Sequence, residues 1–490
     1  MAVSAPLPME TAMRVLPIAA LLVLAVGCSG AEDPPPAPRP PGGVPPAAAS
    51  SAPAGPRALA SVDVDAKVKA RLEVVGLNRH GGEHVLAQIR VTNNDTVDFN
   101  PLDHLADDTD ATPDMDRAGG IFLLDTAARR VVKPLQGADG CVCSRGESVL
   151  GSFLEPGEQK TFFAVLPAPS GGAKTATLLT PMSPPLVDVP ISDEPPAGQD
   201  FPEPVGESVS YPLDAHSEDD ESELRDDGRQ VQVSLSADVL FATGSHALTA
   251  AAGTLIERTA GRISGGAVKV EGHADSTGTS AVNTPLSRRR AAAVAARLKK
   301  LLPDADFTTE GFGSSRPLYP NTTDEGRRRN RRVTITFTKA DEPAPRPTSA
   351  APAAPAAPGN GFTVAVDPLR PVGGGLSLLT YALTNTGQRQ VSLQSLNDDT
   401  DRTWLKFRFW AAANAELVDG DRRIPPARYL LGTPAQGFSQ LCLCTKTSGI
   451  ATGADQFAPA QTKHFWALVQ TPSGPVTAEI ADLPAAPVPN

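Results

Sequence analysis

Asp275 and Arg290 are the side chains in this sequence whose types and spacing best suit the binding of a ligand. Asp275 follows residues 267–271, A-V-K-V-E, whose apolar and polar residues alternate, so a short strand is predicted to end at Gly272. Arg290 belongs to a predicted helix, outside its apolar face. A carboxylate binds an ammonium group, and a guanidinium binds a carboxylate with two parallel hydrogen bonds. The two side chains therefore predict a site for a zwitterion; the alternative is a surface ion pair between them, which would contribute little stability.

The helix that must position Arg290 has a predicted start and a predicted buried face. Thr284 is predicted as the N-cap and Pro285 as a residue of the first turn, where a helix has no need of the N–H that proline lacks. The buried face is predicted from apolar residues at helical spacing, namely Val294, Leu298, Leu301 and Leu302. A strand, a loop and this helix would thus hold Asp275 and Arg290 on neighbouring elements.

Three motifs around this pair resemble those of the OmpA-like peptidoglycan-binding domain family. They are E-G-H-A-D-S-T-G at residues 271–278, N-T-P-L-S-R-R-R-A-A-A-V at residues 283–294 and E-G-R-R-R-N-R-R-V at residues 325–333. The resemblance implies that Asp275 and Arg290 grip the diaminopimelate of the peptidoglycan stem peptide, and that Asn283 lines the same pocket. Two positions depart from the family pattern and concern secondary contacts. Ala274 replaces the usual Thr, and Ala242 stands where many members carry an acid.

Residues 231–340 are predicted as one α+β domain, called here the central domain, in which strands are backed by two helices. The first strand is predicted at residues 231–241 and the first helix at residues 248–263. A last strand is predicted from the alternation of Val333, Ile335 and Phe337. This order is the βαβαβ-type sandwich that the OmpA-like family implies.

Two stretches that flank the central domain repeat each other. Residues 160–166, K-T-F-F-A-V-L, match residues 463–469, K-H-F-W-A-L-V, and C-V-C at residues 141–143 matches C-L-C at residues 442–444. Residues 61–192 and 361–490 are therefore predicted as related all-β modules with an immunoglobulin-like sandwich fold, called here the first and second β modules.

The two C-x-C pairs, Cys141 with Cys143 and Cys442 with Cys444, are the second set of residues that could do chemistry. Outside the cytoplasm their expected fate is oxidation, and four cysteines allow three disulfide connectivities. The alternative is a four-thiolate Zn²⁺ site or a Cu(I) site. A redox or metal-handling activity of the two β modules is therefore an alternative function, with the central domain acting only as a wall anchor.

The N-terminal residues predict export and a lipid anchor. Arg14 precedes an uncharged apolar run at residues 15–26, which is long enough for a signal sequence and short for a membrane span. The ending L-A-V-G-C resembles a bacterial lipobox, so residues 1–28 are predicted as a signal peptide that leaves Cys28 lipidated at the mature N-terminus. An uncleaved anchor helix is the alternative. Residues 29–60 are rich in Pro and Ala and are predicted as an extended tether.

Charge and composition separate the predicted domains and bear on partners. The net charge of -11 and the pI of about 5.2 argue against nucleic acid as a partner. Residues 193–230, called here the acidic segment, are predicted as a solvated linker. Residues 341–360 are predicted as a second linker because they are mostly Pro and Ala. The basic run at residues 327–332 is explained by the resemblance as the entry to the last strand.

The sequence as a whole predicts a noncatalytic lipoprotein of the cell envelope that joins a membrane leaflet to peptidoglycan. Its partners would be peptidoglycan and, through Cys28, the membrane, which would be the outer membrane where the host has one. Neither a cofactor nor a resident metal is predicted. A wall hydrolase is disfavoured because His273 and Asp275 lie on one short loop, without a separate base or a nucleophile elbow.

Overall fold

The computed structural model describes residues 57–65, 68–107, 109, 114–146, 153–196, 203, 205–226, 230–338, 360–396, 411–431, 440–446 and 455–489. The predicted signal peptide with Cys28, almost all of the predicted tether and almost all of the second linker lie outside these residues. The fold is mixed α/β, with helices concentrated in the central domain and strands throughout. Within the described ranges, none of the helices is both long enough and apolar enough to span a bilayer.

The first β module is built mainly of strands, as its sequence predicts. Its elements are β1 (Ala60–Asp65), β2 (Lys69–His80), β3 (His84–Asn93), α1 (Leu102–Leu105), β4 (Phe122–Asp125), β5 (Arg130–Val132), β6 (Gln136–Gly137), β7 (Gly140–Cys141), β8 (Gln159–Pro167), β9 (Thr175–Thr180) and β10 (Ser183–Pro190). One sheet has the order β1-β2-β3-β8, and the other begins β10-β9-β4-β5. Buried side chains of both sheets, such as Leu72, Ile89, Leu123 and Leu178, form one core.

The second β module is also built of strands. They are β18 (Phe362–Val366), β19 (Arg370–Gly373), β20 (Leu376–Asn385), β21 (Val391–Ser392), β22 (Ala415–Asp419), β23 (Arg422–Ile424), β24 (Arg428–Leu430), β25 (Gln440–Cys442), β26 (Gln456–Phe457), β27 (Thr462–Gln470), β28 (Thr477–Ile480) and β29 (Ala486–Pro487). β27 pairs with β20 as β8 pairs with β3. Cys143 forms a backbone bridge to Ala164, and Cys444 forms the equivalent bridge to Ala467. The repeated sequence landmarks therefore occupy equivalent places, while the immunoglobulin-like topology stays a prediction.

The central domain stacks helices on a sheet of the order β16-β15-β17-β14. Its elements are β14 (Gln230–Ser236), α2 (Ala237–Leu240), α3 (Ala250–Ala260), β15 (Ala267–His273), α4 (Ser280–Leu301), β16 (Asp306–Gly313), α5 (Asp324–Asn330) and β17 (Arg332–Thr338). β15 and β16 run parallel, and α4 is the crossover between them. Val333, Ile335 and Phe337 of β17 are buried as their alternation predicts.

Helix α4 begins earlier than its sequence predicts. Its N-cap is Thr279, whose carbonyl accepts the backbone N–H of Asn283 at 2.9 Å, whereas Thr284 was the predicted cap. Pro285 therefore lies in the second turn of the helix. The amide of Asn283 donates to the carbonyl of Thr277 at 2.7 Å and so ties the added turn to the preceding loop. A proline within a helix is unfavourable, so Pro285 alone would be expected to prevent a helical turn before it. The side-chain bond of Asn283 supports that turn.

Two glycines let α4 lie directly against the ends of β15 and β16. A Cβ atom on Gly272 would come 2.0 Å from the carbonyl oxygen of Ser287, and a Cβ on Gly311 would come 2.3 Å from the backbone nitrogen of Arg288. Both contacts are with helix backbone, which cannot move aside as a flexible side chain would. The close approach of helix and strand therefore requires glycine at these positions.

The acidic segment is not a solvated linker, and the sequence-based prediction is wrong for the part that the structure describes. It forms β11 (Ser210–Asp214), β12 (His216–Glu218) and β13 (Ser222–Asp226). β11 lies between β5 of the first β module and β24 of the second. The β12–β13 hairpin lies between β14 of the central domain and β23 of the second β module. Over the described ranges this gives one sheet of seven strands and one of ten, each shared between domains.

The carboxylates of the acidic segment can be buried because arginines neutralise them, both Arg225 of the segment itself and others from elsewhere in the chain. Asp214 accepts hydrogen bonds from Arg428 of the second β module, at 2.9 Å from Nε and 2.7 Å from Nη2. Glu218 accepts a hydrogen bond at 2.6 Å from Arg329 of the central domain. Buried carboxylates of this kind must be paired, since the cost of removing them from water is several kcal/mol each. The segment therefore belongs to the core between the domains.

An apolar cluster also joins the two β modules. It contains Phe122 and Leu179 from the first β module, Leu213 from the acidic segment, and Tyr429 and Leu443 from the second β module, all of them buried. Burial of such side chains stabilises the contact by roughly 25 cal/mol for each Å² of apolar surface removed from water. The two modules thus share a hydrophobic core in addition to a sheet.

The change Gly272→Ala tests the close packing of α4 on β15. We expect it to lower the free energy of unfolding by about 3 kcal/mol, because the added Cβ overpacks against helix backbone. The measurement is the urea midpoint of the full chain. Gly253→Ala is the matched control, since a Cβ there meets nothing within 4 Å; it should raise stability by about 0.5–1 kcal/mol through helix propensity. Equal midpoints for the two variants would contradict the packing.

The buried His216 predicts a loss of stability on mild acidification. Burial, reinforced by Arg428, lowers the pKa of His216 to about 4, although Asp214 and Glu223 act in the opposite direction. Below about pH 6.5 His216 therefore binds a proton in the unfolded chain but not in the folded chain. The free energy of unfolding falls as the pH is lowered, until about pH 4.

Urea midpoints between pH 4 and 7 should accordingly fall more steeply for the wild type than for His216→Gln. The difference between the two curves isolates His216 from the carboxylates that titrate in the same range. Curves that run parallel through the whole interval would show that this histidine is not held neutral.

Candidate functional site

Asp275 lies in the loop after β15, as its sequence predicts, but its carboxylate is already partly occupied. The backbone N–H of Thr277 donates to Oδ1 at 2.9 Å, and the Thr277 hydroxyl donates to the same oxygen. Arg331 donates from Nη1 to Oδ2 at 2.6 Å. Burial opposes ionisation, yet these hydrogen bonds outweigh it and lower the pKa of Asp275. The loop thus presents a carboxylate that stays ionised at neutral pH, although its side chain is only 5% exposed.

Arg290 is held on α4 with its guanidinium turned toward the start of the domain. Its Nε donates to the carbonyl of Ser245 at 2.9 Å, and its guanidinium carbon lies 5.1 Å from the centre of the Phe241 ring. Neither terminal nitrogen has a hydrogen-bond partner in the part of the chain that the structure describes. Burial lowers the pKa of Arg290 while Asp238 acts to raise it, and arginine remains charged in either case.

Arg331 links the two predicted site residues, and the sequence did not single it out. It donates to Asp238 from Nε at 3.0 Å and from Nη2 at 2.7 Å, while its Nη1 reaches Asp275. Asp238 and Arg331 also influence the pKa of Arg290, so the four groups form one electrostatic cluster. Two carboxylates and two guanidiniums sum to zero charge. Such a cluster offers both signs of charge to a ligand that carries both.

Asn283 positions the loop that carries Asp275. Besides its bond to Thr277, its amide lies 3.4 Å from the backbone carbonyl of Asp275. The side chain is buried, and its donors are directed at backbone oxygens of the loop. In the structure Asn283 therefore acts on Asp275 through the loop, and its predicted contact with the ligand stays a prediction.

The structure places Asn283 beside Asp275 and links Arg290 to Asp275 only through Arg331; it does not pair Asp275 with Arg290. Within the described ranges, the ion-pair partner of Asp275 is Arg331. The alternative of a mutual surface ion pair is therefore wrong. Asp238 and Arg331 were missed as site residues, although Arg331 lies inside the third motif and so carried a signal.

His273 is a packing residue at the end of β15 and does not form a catalytic pair with Asp275. Its ring stacks on Phe312 with centroids 5.6 Å apart, and its Nδ1 has no hydrogen-bond partner among the described residues. Burial, followed by the charge of Arg332, lowers the pKa of His273 to about 3. A histidine that stays neutral and is not oriented by a carboxylate lacks the arrangement of a general base.

The basic run at residues 327–332 is engaged within the protein. Arg328 pairs with Glu325 at 2.8 Å, Arg329 pairs with Glu218 at 2.6 Å, and Arg331 belongs to the cluster at Asp275. These arginines connect α5 to the acidic segment and to the site.

Both C-x-C pairs are closed as disulfides within themselves, Cys141 with Cys143 and Cys442 with Cys444. This is one of the three predicted connectivities. Cys143, Cys442 and Cys444 are buried. A sulfur in a disulfide has no thiolate to give to Zn²⁺ or Cu(I), so the structure supplies no thiolate ligands for the metal alternative.

Comparison with known proteins places the site within a described family. The profile of the OmpA family matches residues 240–331. The outer-membrane lipoprotein YfiB of Pseudomonas aeruginosa is 37% identical over 117 residues, which are 23% of this chain and 68% of that protein. Outer membrane protein A of Bordetella avium is 34% identical over 149 residues, 30% of this chain and 64% of that protein.

The peptidoglycan-binding protein ArfA of Mycobacterium tuberculosis is 44% identical over 69 residues, and the match spans 14% of this chain and 21% of that protein. Among solved structures, the cell wall anchor of the type VI secretion system from Pseudomonas aeruginosa is 35% identical, with a TM-score of 0.21. That match covers 23% of this chain and 83% of the anchor.

The assignment rests on the profile match and on the share of YfiB that the alignment covers. The matched residues hold α3, α4, Asp275, Asn283, Arg290 and Arg331, so the similarity falls on the charged cluster apart from Asp238. This chain belongs to the OmpA family.

Proposed function

We propose that this protein is a noncatalytic component of the cell envelope that binds peptidoglycan through its central domain. The observation that carries the proposal is the neutral cluster of Asp238, Asp275, Arg290 and Arg331, in which Arg290 keeps both terminal nitrogens without a partner among the described residues. The OmpA family profile, which spans Asp275, Arg290 and Arg331, and the name of the relative ArfA support peptidoglycan as the ligand.

The ligand group would be the free zwitterionic end of diaminopimelate in a stem peptide. Its carboxylate would accept hydrogen bonds from the terminal nitrogens of Arg290, which is the bond type that guanidinium favours. Its ammonium would bind Asp275, whose lowered pKa keeps the carboxylate charged. Thr277 and Arg331 fix the orientation of that carboxylate before the ligand arrives, and Asn283 fixes the loop.

Lipidation at Cys28 would attach the chain to a membrane leaflet, and residues 29–60 would set the reach between that leaflet and the wall. The names of the relatives YfiB and outer membrane protein A support an envelope location. A single cluster of two ion pairs gives modest affinity. Many copies acting on one polymeric wall would gain effective affinity because each bound copy holds the surfaces close together.

The changes Asp275→Asn and Arg290→Gln test the site. Each removes one charge that the zwitterion would pair with, so we expect cosedimentation of the full chain with purified peptidoglycan to weaken at least about thirtyfold. The full chain is the correct sample because β13 of the acidic segment pairs with β14 of the central domain. Fragments that start at residue 230 would cut this sheet.

Matched controls are Asp304→Asn and Arg289→Gln, which remove the same charges from exposed positions of the central domain. They should bind as the wild type does. Wild-type sedimentation of Asp275→Asn and Arg290→Gln, with melting temperatures unchanged, would sink the site assignment. Equal losses in the controls would mean that binding reports only net charge.

The change Arg331→Met tests the positioning of Asp275. Removing this guanidinium takes away one cause of the lowered pKa and leaves burial, so the pKa of Asp275 should rise. Binding to peptidoglycan should then fall at a higher pH than in the wild type when it is measured between pH 4 and 7.

The control for this pH profile is Arg328→Met, since Arg328 belongs to the same basic run but pairs with Glu325 away from the site. Its profile should follow the wild type. A profile for Arg331→Met that is lowered evenly at every pH would assign Arg331 a structural role only.

A further inference from the structure

The connection between β16 and α5, residues 314–323, contacts both the acidic segment and residues 274–279, the loop of the proposed wall site, called here the site loop. At one point the backbone N–H of Ser276 in the site loop donates to Oδ1 of Asn321 at 3.1 Å. At another the hydroxyl of Tyr319 donates to a carboxylate of β13 in the acidic segment. The connection therefore forms a physical link between the acidic segment and the wall site.

Tyr319 is fixed on the acidic segment by charged partners. Its side chain is buried, and its hydroxyl donates to Glu223 and accepts from Nη2 of Arg225 at 3.1 Å. The guanidinium carbon of Arg329 lies 5.5 Å from the centre of its ring. Burial, followed by the charge of Glu223, raises the pKa of Tyr319 to about 12, so the hydroxyl keeps its proton at neutral pH. A buried hydrogen bond to a charged acceptor is among the stronger ones in proteins.

Asn330 of α5 joins Tyr319 to Asn321. It is fully buried, and its Oδ1 accepts the backbone N–H of Leu318 at 2.9 Å and that of Tyr319 at 3.1 Å. Its Nδ2 donates to the carbonyl of Tyr319 at 2.7 Å and to Oδ1 of Asn321 at 3.1 Å. The same Oδ1 of Asn321 accepts the backbone N–H of Ser276. A displacement of Tyr319 would therefore disturb the bond that holds the site loop.

The acidic segment continues this network to the second β module. Arg225 of β13 donates from Nε to Glu223 at 2.6 Å and pairs with Asp214 at 3.3 Å. Asp214 in turn pairs with Arg428 of the second β module at 2.7 Å. Buried polar networks in which the members are bonded to each other hold those members in one arrangement. The series of contacts thus begins in the second β module and ends at the site loop.

We propose that Glu223 and Tyr319 are positioning residues of the wall site, which set its affinity for peptidoglycan by fixing the site loop through Asn321. The inference rests on the proposed function of the central domain. A loop that is ordered before the ligand arrives loses less conformational freedom on binding, and so binds more tightly. The acidic segment, and through Arg428 the second β module, therefore contributes to wall binding although the proposed ligand contacts lie on the central domain.

The experiment is sedimentation of the full chain with purified peptidoglycan for Tyr319→Phe, Asn321→Ala and the double variant. Tyr319→Phe removes one hydroxyl and keeps the ring, and we expect it to weaken binding about fivefold, as Asn321→Ala should. Because both changes act on one route, the double variant should bind no more weakly than Asn321→Ala alone. Losses that multiply to about 25-fold would show that the two residues act independently, and would overturn the proposal.

The pKa of Asp275 provides a second readout, which does not need the ligand. Burial opposes the ionisation of Asp275, while hydrogen bonds from Thr277 of the site loop help to lower its pKa. A loosened site loop should therefore raise the measured pKa, by about 0.5 or more. Tyr319→Phe changes no charge at neutral pH, so this rise would report the geometry of the loop. NMR titration of a chain isotope-labelled at its aspartate carboxyls measures it, and Asp275→Asn identifies the signal.

Tyr381→Phe is the matched control, because it removes the hydroxyl of another buried tyrosine, in the core of the second β module. That hydroxyl has no hydrogen-bond partner among the described residues. The control should keep wild-type sedimentation and the wild-type pKa of Asp275. Tyr319→Phe that matches the wild type in both readouts would overturn the proposal and leave the wall site standing. Where Tyr319→Phe melts below the assay temperature, Asn321→Ala decides, and wild-type behaviour of that variant would equally overturn the proposal.

Failure of the proposed function gives a different result. A wild-type chain that does not sediment with peptidoglycan would contradict wall binding, and the role of Tyr319 in wall affinity would fail with it. A raised pKa of Asp275 in Tyr319→Phe would still show in that case that Tyr319 positions the site loop.

Discussion

The burial of carboxylates between the domains is the constraint on which the arrangement of this protein depends. An ionised carboxylate loses its hydration when it is buried, and only paired cations with good geometry compensate. Asp214 obtains its cation, Arg428, from the second β module, and Glu218 obtains Arg329 from the central domain. Asp214 also pairs with Arg225 of the segment itself at 3.3 Å, so the partner domains complete a neutralisation that the segment begins. The acidic segment therefore makes the assembly of the domains interdependent.

The same segment explains where sequence-based reasoning failed. A run of acidic residues predicts solvation because its carboxylates outnumber the cations close to them in the sequence. Arg225 supplies part of the compensation from within the segment. The rest comes from residues 111 and 214 positions away, Arg329 for Glu218 and Arg428 for Asp214, and no local pattern reports these pairs. The strands of this segment were also not predicted from periodicity. Charged and apolar residues alternate along a strand when one face is exposed to water, and this pattern does not apply when both faces are covered.

The elements that hold the charged cluster of the central domain were predicted better than the strands of the acidic segment. The strand before Asp275, the helix that carries Arg290 and the alternation in β17 follow from short-range patterns, and the structure has all three. The start of α4 was missed because Asn283 supports a turn through side-chain bonds to a loop. The role of Arg331 was missed for a related reason. An arginine in a basic run has many possible partners, and only the folded chain selects Asp238 and Asp275.

The sheet shared by the central domain and the second β module has a mechanical consequence. A load applied at Asp275 enters β15 and passes through β17, β14 and the hairpin of the acidic segment to β23. Each step crosses a ladder of backbone hydrogen bonds. A flexible linker, in contrast, would extend under load with only an entropic resistance. The extensible element of a wall-to-membrane link would then lie outside this sheet. The shared sheet would resist extension. Its shortest ladder, between β12 and β23, where Glu218 faces Arg423, would set the force at which the sheet separates.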